Sequence, residues 1–161
     1  MNNGFKLVIA IALPLVVGGL SGYATAGGVS TWYPTLIKPS FNPPAWVFGP
    51  VWTLLYIMMG VAAFLVWRQG PAAEGVRLAL AAFVIQLVLN GLWSILFFGL
   101  QTPGWALVEI ILLWLAIVAT LVLFWRVVPA AGVLLIPYLA WVSFATVLNA
   151  SLWWLNRTPT G

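Results

Sequence analysis

The chain has 161 residues, 64% of them hydrophobic and 5% charged, with a mean hydropathy of +1.12; this lies outside soluble globular usage and makes lipid the solvent of the fold. Its net charge of +4 comes from six Lys/Arg and two acidic residues scattered singly along the chain, so no basic patch for nucleic acid is present. With no Cys, His or Asp, disulfides, thiolate nucleophiles, histidine bases and the usual zinc and haem ligands are excluded by inventory, and no metal site is expected.

A bilayer core of about 30 Å needs roughly 20 apolar residues per helix, and five stretches reach that length: about residues 7–26, 46–67, 77–99, 105–125 and 131–154. The expected fold is an all-α membrane protein, a single transmembrane domain over residues 1–161 built as a bundle of five helices in the lipid bilayer. In the first span, Lys6, a short apolar core and Ala24-Thr25-Ala26 share the outline of a secretory signal. Its length and the small face of Gly18, Gly19 and Gly22 favour a packed transmembrane helix instead, and Gly18 with Gly22 makes a G-x-x-x-G pattern that serves either the bundle or a homodimer. Residues 27–45 carry Pro34, Pro39, Pro43 and Pro44, too much proline for a helix and too long a run for a connector. They are expected to form a lid loop. The later links, residues 68–76, 100–104 with Pro103 and 126–130 with Pro129, are plain turns. Five spans put the termini on opposite sides; Lys6, Arg68, Arg77 and Arg126 outnumber Lys38 and Arg157, which predicts a cytoplasmic N-terminus with the lid and C-terminus opposite.

Of the eleven Trp, Trp46, Trp67, Trp105, Trp125, Trp153 and Trp154 fall at helix ends, as an interfacial aromatic belt requires. Trp52, Trp93, Trp114 and Trp141 do not. At a rise of about 1.5 Å per residue, Trp52 and Trp93 lie roughly 9 Å below the lid-side ends of their helices, and Trp141 lies near mid-membrane. Helix direction gathers Trp52, Trp93 and Trp105 in the half of the bundle beneath the lid, with Trp141 below. Buried indoles also serve as filler between helices, but this convergence predicts a pocket of π-faces suited to a large planar apolar ligand. The intramembrane polar residues are Gln86, Asn90, Glu109 and Asn149. Gln86, Asn90 and Trp93 share one inward face of the third helix. Interhelical hydrogen bonding is the first expectation for Gln86, while Asn90 is open between that and ligand contact. Glu109, one turn into the fourth helix, is expected to snorkel to the surface. Pro14, Pro50 and Pro137 are expected to kink their helices.

Several motifs then resemble one family in order along nearly the whole chain: W-Y-P-T-L-I-K-P-S-F-N-P-P-A-W (residues 32–46), P-V-W-T-L-L-Y (50–56), Q-L-V-L-N-G-L-W (86–93), F-F-G (97–99), G-W-A-L (104–107) and P-Y-L-A-W-V-S-F-A-T-V-L-N (137–149). They resemble the translocator protein family, also called the peripheral benzodiazepine receptor or tryptophan-rich sensory protein. The resemblance implies five transmembrane helices and a pocket roofed by the first loop that binds porphyrins (protoporphyrin IX or haem), synthetic isoquinolines and, in mitochondria, cholesterol. No other cofactor is implied. Carried over by position, the ligand-binding residues are Tyr33, Trp52, Tyr56, Asn90, Trp93, Trp105, Trp141 and Ala145. The family's proposed cholesterol motif has a tyrosine directly after V-L-N; here Ala150 stands in its place, which weakens sterol binding by that route.

Three functions follow as expectations. The first is a membrane binding protein, sensor or carrier for tetrapyrroles, with Lys38 and Arg157 as the lid-side cations able to pair with propionates. The second is light-dependent porphyrin breakdown, in which the pigment does the chemistry and Trp52 and Trp141 are the oxidisable neighbours. The third is a structural or partner-binding membrane protein.

Overall fold

The computed structural model describes residues 1–157. Five helices span it: α1 (Asn3–Gly27), α2 (Ala45–Trp67), α3 (Val76–Ser94), α4 (Pro103–Val127) and α5 (Pro129–Asn156). All five spans are long and apolar enough to cross a membrane, so the protein is a multi-pass membrane protein. They pack as a ring in which α1 meets α2 and α3, α2 meets α5, α5 meets α4, and α4 closes onto α3. The first span is thus a packed member of the bundle.

Local chemistry explains where the helices begin. The Asn2 side chain accepts a 2.8 Å bond from the Phe5 N–H and caps α1. Pro103 and Pro129 open α4 and α5, at the position where a missing N–H leaves no partner unsatisfied. Gly75, at φ +79°, turns the chain into α3, a backbone conformation that other residues adopt at a cost. Pro14, Pro50 and Pro137 lie within α1, α2 and α5, and the helices continue through them.

The lid is shorter than the sequence predicts. Past Gly27 the first helix continues as a wide π turn over Gly28–Trp32 and a tighter 3-10 turn over Tyr33–Thr35. Only residues 36–44 lack helical structure. The reason lies in where the prolines fall: none occurs between residues 27 and 33, and Pro34 sits at the start of the 3-10 turn, where it needs no donor.

Packing is uneven along the bundle. In the half away from the lid, Met59, Ala62, Val66, Val76, Ala79, Phe124 and Ala131 are completely buried, and Phe83 stacks on Phe124 at 5.8 Å. Gly60 lets α1 and α2 touch there, since a Cβ at this position would meet the Ala10 carbonyl oxygen and the backbone of Ile11. Towards the lid the helices separate, and no residue from Ala26 through Leu54 is buried.

Candidate ligand-binding cavity

The space left by that separation is a cavity of about 520 Å³, walled by α1, α2, the end of α3 with the π turn that follows it, and α5, with Tyr33 and Pro34 of the 3-10 turn before the lid contributing to its lining. Its volume is that of a small-molecule site, for which about 300–1,000 Å³ is usual. No charged side chain lines it among the described residues.

Aromatic rings form much of the wall. On α2, Trp52 sits one turn from Tyr56 and stacks on it, with centroids 5.6 Å apart and planes 29° apart. The same indole meets Trp141 edge-on at 6.5 Å and Tyr138 at 6.4 Å. On α3, Trp93 stacks on Phe97 at 5.3 Å. Its N–H donates to Asn149 Oδ1 at 3.0 Å, while Asn149 Nδ2 donates to the Pro103 carbonyl at 2.9 Å. Asn149 therefore uses both ends of its amide, tying α5 to the start of α4 and fixing the Trp93 indole in the wall. Trp141 packs against Phe48 and Phe144 at 5.9 and 5.5 Å. Its N–H is buried with no hydrogen-bond partner among the described residues. Trp141 also borders a shallow groove on the outer seam of α2 and α5.

Beneath the Trp52 wall runs a chain of buried polar groups. The Tyr56 hydroxyl donates to Asn90 Oδ1 at 2.7 Å, Asn90 Nδ2 donates to the Tyr138 hydroxyl at 2.9 Å, and that hydroxyl donates to Gln86 Oε1 at 2.7 Å. Three helices are thereby joined in a medium where an unpaired polar group is costly. Gly18 of α1 closes the other side of Tyr56, because any Cβ there would collide with the phenol ring. The Gly18/Gly22 pattern is thus used inside the protomer: Gly18 receives Tyr56, and both glycines line the cavity.

The residues singled out from the sequence divide into two groups. Tyr33, Trp52, Tyr56, Trp93, Trp141 and Ala145 line the cavity together. Asn90, Trp105, Lys38 and Arg157 do not. Asn90 is buried in the polar chain and bonds directly to one cavity-lining residue, Tyr56. Trp105 is 67% exposed on the outside of the bundle. Nothing from α4 lines the cavity, because that helix packs behind α3 and α5, so Trp105 keeps the belt position and loses the pocket one. Lys38 Nζ donates to the Leu36 carbonyl at 3.2 Å and sits 4.9 Å above the Tyr33 ring, at the rim. Arg157 stacks at 3.4 Å on the exposed Trp154. Trp114, outside the cavity, donates to Ser143 Oγ at 2.8 Å.

Glu109 corrects another expectation. It does not snorkel: it is 5% exposed, and neither carboxylate oxygen has a hydrogen-bond partner among the described residues. Its position on α4, three residues beyond the fully buried Ala106 and four before Leu113, turns it inward. The α1 wall (Gly18, Gly22, Thr25, Ala26, Val29) and the rings of Phe48, Phe97 and Phe98 were not foreseen as cavity residues. The F-F-G run was a visible signal for the last two, and the glycine spacing on α1 for the first.

The sequence profile of the TspO/MBR family matches residues 10–155. The tryptophan-rich protein TspO of Chlorobaculum tepidum is 48% identical over 150 residues, covering 93% of this chain and 95% of the relative. The protein of the same name from Archaeoglobus fulgidus is 45% identical, covering 96% of this chain and 99% of its own length. The human translocator protein is 46% identical over 123 residues, 76% of this chain and 73% of the human protein.

Proposed function

The chain belongs to the TspO/MBR family, and we propose that it binds porphyrins in the cavity beneath the lid, as a membrane sensor or carrier for tetrapyrroles. The observation that carries this reading is the meeting of Trp52, Trp93 and Trp141 around one uncharged cavity, which offers stacking faces and apolar area to a flat macrocycle. A macrocycle bearing carboxylates would turn them away from the uncharged walls. Lys38, at the rim beside Tyr33, is then the nearer cation for a propionate, and Arg157, held on Trp154, the less direct one.

Titration with protoporphyrin IX in detergent, followed by tryptophan quenching, tests the reading. Saturable quenching is expected, weakened in both Trp52→Phe and Trp141→Phe. Absence of saturation would assign the cavity to another ligand, a sterol or lipid among them.

One observation favours photo-oxidative breakdown as a second reading: the Trp52 and Trp141 rings touch within the wall, next to where a bound pigment would lie. Illuminating bound porphyrin in parent and doubly Phe-substituted protein separates the two, since equal bleaching leaves the protein as a binder only. Gly18 receives Tyr56 within the protomer, while Gly19 and Gly22 have open space at their Cβ positions; chemical cross-linking in nanodiscs decides whether two copies pair.

A further inference from the structure

The lid is held by very little packing. Residues 36–44 contain no buried side chain, and Ile37 is 62% exposed. Two side-chain contacts tie this stretch to α5: Phe41 meets Phe144 edge-on at 6.2 Å, and the hydrogen-bonded contact comes from the far end of the sequence. Asn156, the last residue of α5, accepts a 2.8 Å bond from the Ile37 N–H at its Oδ1 and donates a 2.8 Å bond to the Ile37 carbonyl from its Nδ2. The amide therefore pairs with both backbone groups of one lid residue, as a neighbouring strand would. A third bond, from Asn156 Nδ2 to the Leu152 carbonyl at 2.8 Å, anchors the amide on its own helix. The remaining side-chain bonds of the lid, Tyr33 Oη to Asn42 Oδ1, Asn42 Nδ2 to the Pro43 carbonyl and Lys38 Nζ to the Leu36 and Pro34 carbonyls, are internal to the lid and its neighbours in sequence. They shape it without fastening it.

We propose that Asn156 is the latch of the cavity: breaking its paired bonds to Ile37 is the step that opens the lid and sets how fast ligand exchanges with the aqueous side. A segment with exposed backbone bonds and little buried area is drawn from the low-stability end of a fold, and a two-bond latch near its start makes opening a discrete event. Since neither Asn156 nor Ile37 lines the cavity, loss of the latch speeds entry and exit together and changes affinity less than rate. The inference rests on the cavity being the binding site, but its test needs no porphyrin, so it stands or fails separately from the porphyrin reading.

The chain has no Cys, so a single reporter thiol is clean. Ser94→Cys places one in the cavity lining, and Ala79→Cys places a control in the fully buried half. Each is placed in lipid nanodiscs and labelled with a charged, membrane-impermeant methanethiosulfonate, with Asn156 intact and with Asn156→Leu. Loss of two hydrogen bonds is expected to raise the rate at the Ser94→Cys reporter about tenfold, with the Ala79→Cys rate unchanged. Asn156→Asp, which keeps the acceptor for the Ile37 N–H, gives an intermediate rate and serves the same comparison if the Leu variant does not fold. An unchanged rate at Ser94→Cys overturns the latch; so does an equal rise at both reporters, which means general loosening of the bundle.

Discussion

Asn90 acts on the cavity through Tyr56, and a double-mutant cycle can show it. The side chain is 2% exposed and makes two hydrogen bonds, from Tyr56 at 2.7 Å and to Tyr138 at 2.9 Å. In Asn90→Leu the Tyr56 hydroxyl becomes a buried donor without a partner, whereas Tyr138 keeps its bond to Gln86. One orphaned neutral donor costs about 1–3 kcal/mol, and hydrogen bonds between membrane helices average about 0.6 kcal/mol each, so a loss of about 1–3 kcal/mol is expected. Tyr56→Phe orphans Asn90 Oδ1 and costs a similar amount. With both changes no partner is left unpaired between them, so the double variant loses less than the sum, by about 1 kcal/mol. Far-UV circular dichroism during unfolding in mixed micelles of rising dodecyl sulfate measures all three variants. The same cycle on porphyrin affinity is expected to be non-additive. Additive losses in both quantities would mean that Asn90 works independently of Tyr56, and the polar chain would not be its route to the cavity.

Gly18→Ala forces the Tyr56 ring from its seat and is expected to cost about 1–3 kcal/mol as overpacking, while Gly19→Ala, with open space at its Cβ, stays within about 0.5 kcal/mol; equal losses in the same micelle unfolding would dissolve the distinction. Glu109→Met replaces a buried carboxyl that lacks partners with an apolar chain of similar size and is expected to stabilise the bundle by about 1–2 kcal/mol, and a lower unfolding midpoint would reveal a partner for Glu109. The placement of Lys6, Arg68, Arg77 and Arg126 at one end predicts that Ser40→Cys is labelled from outside intact cells and Gln69→Cys only after lysis; the reverse pattern inverts the topology.

How much of this was legible in the sequence depended on what lipid leaves visible. Span positions were readable because the bilayer fixes a length, and all five expected ranges fall within or close to the helices found. The proline count in residues 27–45 misled on the lid because position matters more than number: Pro34 starts a turn that needs no donor. Helix rotation was harder. In water, an apolar stripe marks the buried face; in lipid, the outer face is as apolar as the core, so Leu and Val carry no azimuthal information. Trp105 shows the consequence, since the direction of α4 correctly put it in the lid-side half and nothing in its apolar neighbourhood told inside from outside. Where a span carries polar residues the information returns: Gln86 and Asn90, four apart, oriented α3 correctly, and Asn149 sits where it receives the Trp93 N–H. Glu109 carried the same signal on α4. Taken as an inward marker, it fixes that helix's rotation but does not settle Trp105, which lies four residues away on the same face and is nevertheless 67% exposed at the helix end. The polar residues of a membrane span are thus its compass, including the one whose charge makes a surface position tempting.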